Sequence, residues 1–164
     1  MTTVVWLNGE LAGDTQVTAG TLIDSPISKV ECITPFTLFG FSGNIDLKKA
    51  FMDWVIEGAN RRKQPFCFSR RNDFEAIVVH RVKDGTVFNV YSNNFTATTY
   101  SNLPFYVIGS GSQLAFGAYE AVKALGKVNE TRARDIVKWV SNRDIYTNNK
   151  IESVKFREIK KEQA

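Results

Sequence analysis

The spacing of apolar residues switches between two periods along this chain, and that switch limits the fold more than any other feature. Thr3-Val4-Val5-Trp6-Leu7 is a β-branched run that reaches Asn8-Gly9, a dipeptide suited to a two-residue hairpin turn, and Glu10 to Asp14 reads as the returning strand. Lys29 to Ile33 and Phe36 to Phe41 form a second strand pair, split by Thr34-Pro35. From Asn44 to Gly58 the period lengthens, and Leu47, Ala50, Phe51, Trp54 and Val55 fall on one helical face. Strand spacing returns in Phe74 to Val82 and Thr86 to Tyr91, around the turn Lys83-Asp84-Gly85, whereas Asn93 to Asn102 reads as a loop or irregular strand. Phe105 to Ile108 is a further strand that runs into Gly109-Ser110-Gly111-Ser112. A second helix carries Leu114, Ala115, Ala118, Tyr119, Val122 and Leu125 on one face and stops at Gly126. A third starts at Thr131, with Ile136, Val137 and Val140 as its apolar stripe; Asp144 to Tyr146 and Ile151 to Phe156 have β-like patterning. Helices and strands grouped in blocks predict an α+β layered architecture rather than an alternating parallel sheet.

A chain of 164 residues is expected to form one domain, spanning 1–164. With 43% hydrophobic and 23% charged residues and 4 prolines, the composition excludes a disordered chain. No apolar run approaches the ~18 residues of a membrane span and no signal-peptide pattern is present, so a soluble, cytoplasmic protein without a membrane partner is expected. Cys32 and Cys67 are too few for a disulfide framework and are expected to be buried small hydrophobes. His80, the only histidine, lies in a strand-like run and reads as structural. A zinc site or a histidine-based triad therefore lacks its residues, no metal or cofactor is expected, and hydroxyl, amine and carboxylate chemistry remains.

The net charge of +4, from 21 Lys and Arg against 17 Asp and Glu, is mild. Arg61-Arg62-Lys63 and Arg70-Arg71, with Phe66 and Phe68 between them, superficially suit stacking on single-stranded nucleic acid. A cluster of this size reads better as a solvated loop, and no nucleic-acid partner is expected.

Thr2 follows Met1, and methionine aminopeptidase normally removes Met before so small a residue. An N-terminal threonine joins a hydroxyl nucleophile to an α-amine that can serve as its base, with no histidine required. Many chains begin Met-Thr without catalytic meaning. Asp14, at the end of the returning strand, can come back to Thr2, and Lys29 near an amine would favour its neutral form; each alone is also an ordinary surface charge. Gly43, at a strand-to-helix junction, can point its N–H at an oxyanion or simply make a turn. The Gly109 to Ser112 segment lacks the lysine of a phosphate-binding loop and reads by itself as a tight turn and helix cap.

The order of these signals resembles the proteasome β-subunit superfamily of N-terminal nucleophile (Ntn) hydrolases, most closely the compact bacterial type, the HslV peptidase and its relatives. Thr2-Thr3-Val4-Val5 looks like the family's mature start, and Gly13-Asp14 and Ser28-Lys29-Val30 like its aspartate and lysine. Phe39-Gly40-Phe41-Ser42-Gly43 resembles the strand ending at the oxyanion glycine. Ile108-Gly109-Ser110-Gly111-Ser112, with Ala115 and Gly117, matches the glycine-serine turn and its helix, and Arg143-Asp144-Ile145-Tyr146-Thr147 the late aspartate-and-hydroxyl motif. One departure is that Thr147 is followed by Asn148-Asn149, where the family usually has glycine.

The resemblance implies a four-layer α-β-β-α sandwich, a threonine endopeptidase, and a ring of identical subunits with sites facing an internal chamber, fed with polypeptides and, for folded substrates, by an AAA+ unfoldase. It implies Thr2 as nucleophile, Lys29 tuning its amine, Asp14 holding Lys29, the Gly43 N–H binding the oxyanion, and Ser110, Asp144 and Thr147 positioning the terminus. Phe41 would help line the substrate pocket. The competing readings are an inactive ring or scaffold of the same fold, an Ntn amidase acting on a small amide, and an unrelated α+β binding domain.

Overall fold

The computed structural model describes residues 2–19, 22–24, 27–65 and 74–157. Met1, Phe66, Cys67, Phe68, Arg70 and Arg71, which figure in the sequence expectations, lie outside the described residues.

The N-terminal hairpin forms as its turn dictates. β1 (Thr3–Leu7) and β2 (Glu10–Asp14) are joined by Asn8 at φ 50° and Gly9 at φ 77°, the paired left-handed geometry that matches strand twist. A short pair follows, β3 (Val17–Ala19) against β4 (Leu22–Asp24). β5 (Val30–Thr34) and β6 (Thr37–Gly43) make the next hairpin, and α1 (Ile45–Ile56) starts where Asn44 accepts the Asp46 N–H at 3.0 Å. β7 (Phe74–Val82), β8 (Gly85–Ser92) and β9 (Thr98–Ser101) form a meander, then come β10 (Phe105–Gly109), α2 (Ser112–Ala124), α3 (Ala133–Ser141) and β11 (Ile151–Lys155).

Two antiparallel sheets carry the fold, with strand orders β10-β1-β2-β11 and β5-β6-β7-β8-β9. Strand alternation sorts the side chains into three apolar layers. Val4, Trp6, Leu11 and Ile108 of the first sheet meet Leu38, Ile77, Val79 and Phe88 of the second. On the outer face of the first sheet, Val5, Leu7 and Ala12 pack under Ala115, Ala118 and Tyr119 of α2 and Ile136, Val137 and Val140 of α3. On the outer face of the second, Phe39, Phe41, Ala76 and Val78 pack under Phe51 and Trp54 of α1. The layers therefore run α-β-β-α, the expected sandwich. Buried Glu10 fixes α3 to β2 by accepting from Arg132 Nη2 at 2.5 Å and from the Arg134 N–H at 3.1 Å.

Several expectations shift. Ala50 is exposed on α1, and Leu125 sits at the C-cap of α2 with 71% of its surface in water rather than on the buried stripe. Asp144 to Tyr146 is a turn and not a strand, because the Asp144 carboxylate accepts the Tyr146 N–H at 3.1 Å and the Thr147 N–H bonds the Asp144 carbonyl. Cys32 is half-buried, its Sγ 3.1 Å from the Thr34 carbonyl. His80 bonds Thr37 Oγ1 through Nδ1 at 3.2 Å, and burial pulls its pKa down. Arg61 to Lys63 form one exposed 3₁₀ turn capped by Asn60. No helix among the described residues is long and apolar enough to cross a membrane.

Candidate active site

Hairpin register places the first half of the site. Val4 pairs with Gly13, so the next residue along β2, Asp14, falls beside Thr3 and Thr2. Its carboxylate is fully buried and accepts from the Thr2 hydroxyl and, at 3.0 Å, from the Thr3 N–H, both through Oδ1. Oδ2 accepts from Lys29 Nζ and from the Gln16 N–H, each at 3.1 Å. Lys29 also donates to the Gln16 carbonyl. Burial lowers the Lys29 pKa, and the Asp14 charge partly opposes that shift. The expected Asp14–Lys29 pairing is present; the Thr2 hydroxyl, however, bonds the carboxylate directly.

A second half closes over the other side of Thr2. β10 pairs with β1, Thr3 opposite Gly109, and Gly109 takes φ 100°. A Cβ at Gly109 would stand 1.8 Å from the Thr2 carbonyl oxygen, so only glycine lets the two backbones approach this closely. Ser110 Oγ lies 3.5 Å from the same carbonyl and donates to Asp144 Oδ2 at 3.1 Å. Thr147 Oγ1 donates to that oxygen at 2.7 Å and sits 2.8 Å from Thr3 Oγ1. Lys29, Asp14, Thr2, Ser110, Asp144 and Thr147 thus share one run of polar contacts.

Asn148 explains how the late loop keeps its place without glycine. Its Oδ1 accepts from the Thr15 N–H at 3.1 Å, and its Nδ2 donates to Thr15 Oγ1 at 3.2 Å. Gln16 Nε2 adds a bond to the Ile145 carbonyl at 3.2 Å, so the late loop is stitched directly to the segment following Asp14.

Two expected site residues stand apart. Gly43 ends β6 at φ 127°, exposed, one residue beyond Ser42, whose Oγ lies beside Gly109. It pairs with Phe74 and makes none of the polar contacts that run through Thr2. Phe41 is 1% exposed, with its ring stacked on Phe74 at 5.8 Å and on Phe39 at 6.2 Å. Strand alternation points it at α1, whereas Ser42 faces the other sheet, so Phe41 is part of the apolar layer under α1.

Sequence reading missed Thr3, Asn148, Glu75 and Lys48. Glu75 Oε2 accepts the Gly109 N–H at 2.6 Å. Buried Lys48, on α1, donates to the Ser28 carbonyl at 2.6 Å and to Glu31 at 2.9 Å, which steadies the segment carrying Lys29. A charge placed on an otherwise apolar face was the available signal for both. Among the described residues no group of three or more His, Cys, Asp or Glu side chains is gathered to hold a metal ion.

The fold has counterparts among solved structures. The chain superposes on Thiobacillus denitrificans BPH in complex with epoxomicin with TM-score 0.64 at 16% identity, covering 96% of this chain and 99% of that one. HslV from Trypanosoma brucei gives TM-score 0.62 at 19% identity, covering 93% and 97%. The fold is that of HslV. Uncomplexed BPH gives TM-score 0.61 at 16% identity. No protein-family model matches the chain, and no curated protein does. Likeness at these identities rests on backbone course alone, so the chemistry has to come from the residues around Thr2.

Proposed function

We propose that this protein is a threonine endopeptidase that works from the interior of a homo-oligomeric ring in the cytoplasm, with Thr2 as nucleophile once Met1 is removed. The observation that carries the reading is the Thr2 hydroxyl bonded to buried Asp14, which is itself paired with Lys29. Removal of Met1 turns the Thr2 backbone nitrogen from an amide into an amine. That amine takes the proton from Oγ1 as Oγ1 attacks a peptide carbonyl, and the Gly43 N–H meets the oxyanion. The ammonium then returns its proton to the departing amine, leaving an ester on Thr2 that water hydrolyses. Asp14 orients Oγ1 and balances Lys29, whose positive charge disfavours protonation of the amine and so keeps it free to act as base. Polypeptides are the substrate class, and a folded one needs an unfoldase of the AAA+ type to reach a chamber.

The inactive-scaffold reading has one observation in its favour: Thr2 is only 1% exposed, with its hydroxyl committed to Asp14. Intact mass before and after a Thr-directed epoxyketone separates the two. Loss of Met1 and one adduct per chain, absent in Thr2→Ala, is the expected result; retained Met1 and no adduct would sink the peptidase reading.

A further inference from the structure

β7 breaks its own pattern at Glu75. Phe74, Ala76 and Val78 face α1, and Ile77 and Val79 face the other sheet, so alternation puts Glu75 on the otherwise apolar inter-sheet face of β7. Its register partner on β6 is Ser42. Half-buried there, the Glu75 carboxylate reaches across to β10, the outermost strand of the opposite sheet, and accepts the Gly109 N–H at 2.6 Å. The peptide it holds is the one pressed against Thr2: a Cβ on Gly109 would stand 1.8 Å from the Thr2 carbonyl oxygen, and Ser110 follows directly with its Oγ 3.5 Å from the same atom. Asp14 and Lys29 hold Thr2 from one side, through its hydroxyl; Glu75 braces the other side, through backbone.

We propose that Glu75 is a positioning residue for Thr2, acting through the Gly109 amide to set the Gly109-Ser110 turn against the Thr2 carbonyl. The proposal rests on the peptidase reading. It requires reach more than charge, because any oxygen at this distance can accept the N–H, whereas a shorter side chain cannot. Misplacement of a reacting group by about 1 Å costs about 100-fold in rate.

The test compares Glu75→Gln, which keeps the reach and loses the charge, with Glu75→Asp, which keeps the charge and loses the reach. Both are conservative enough to fold, and thermal melting and assembly size confirm it. The readouts are the rate of epoxyketone adduct formation on Thr2 and the separate kcat and KM for a fluorogenic peptide. Glu75→Gln is expected within about threefold of wild type. Glu75→Asp is expected to lose about 10- to 100-fold in adduct rate and kcat, with KM nearly unchanged. Folded Glu75→Asp reacting like wild type overturns the proposal, and so does the reverse ranking, in which Glu75→Gln is the impaired variant. A wild type that takes no adduct overturns the peptidase reading and this role with it; a reactive wild type beside an equally reactive Glu75→Asp removes this role alone.

Discussion

Asp14→Asn isolates the group around which the first half of the site is built. Asn can still accept from the Thr2 hydroxyl and the Thr3 N–H through Oδ1, but its amide nitrogen replaces the oxygen that now accepts from Lys29 and the Gln16 N–H. The Lys29 side chain is only 6% exposed, so the substitution leaves an ammonium without its counter-charge in a nearly dry position. Breaking one side of a buried ion pair costs about 3–5 kcal/mol. Lys29 keeps its bond to the Gln16 carbonyl, which argues for the lower end. About 3 kcal/mol corresponds to a fall in Tm of about 6–12 °C for a chain of this size.

The loss also depends on pH in a definite sense. Burial already lowers the Lys29 pKa, and removing Asp14 withdraws the charge that opposes the shift. Between that lowered value and the usual 10.5 of the unfolded chain, the unfolded state binds more protons. Stability of the variant must therefore rise with pH across this window, by at most about 1.4 kcal/mol per pH unit. Urea unfolding of wild type and variant at several values from pH 6 to 10 measures both quantities. A loss below about 1 kcal/mol at neutral pH, or a deficit that grows as pH rises, refutes the account of Asp14 as the counter-charge of Lys29.

Gly109→Ala forces a Cβ to within 1.8 Å of the Thr2 carbonyl oxygen, so the two backbones must part by more than about 1 Å and epoxyketone reactivity should fall about 100-fold; unchanged reactivity refutes the close approach. Phe41→Leu disturbs the stack on Phe74 and Phe39 and is expected to cost about 1–3 kcal/mol in urea unfolding while leaving the ranking of peptide substrates by side chain as in wild type; an altered ranking would place Phe41 at the substrate after all.

Much of the architecture was legible because it is written in local spacing. The left-handed pair Asn8-Gly9, the i, i+3, i+4 rows of α1 and α3, and the grouping of strands lead to α+β layers, and the resemblance to a known family supplied the four-layer sandwich. The site was legible where a hairpin dictates proximity, as with Asp14 and Thr2. It was less so where side chains compete with local pattern. Asp144 to Tyr146 has the composition of a strand, yet the Asp144 carboxylate turns the chain back on itself. Phe41 is next to Ser42 in sequence but on the opposite face of the sheet, since period-2 alternation assigns a face by parity and not by closeness. Glu75 and Lys48 look like surface charges in one dimension, because the groups they hold lie 34 and 20 residues away.

The polar run around Thr2 also fixes when it can exist. Thr2 and Asp14 are separated by 12 positions and meet through a hairpin, whereas Thr2 and Ser110 are 108 apart and Thr3 and Thr147 are 144 apart. Contacts between distant positions carry a larger loop-closure cost and form late in folding. A newly made chain can therefore pair Thr2 with its carboxylate early, but it has no Gly109-Ser110 turn or Asp144 to brace the backbone until both α2 and α3 have docked. The brace on the Thr2 backbone and the finished sandwich arrive together, and a part-folded chain carries a threonine paired with its carboxylate but not yet fixed from the other side.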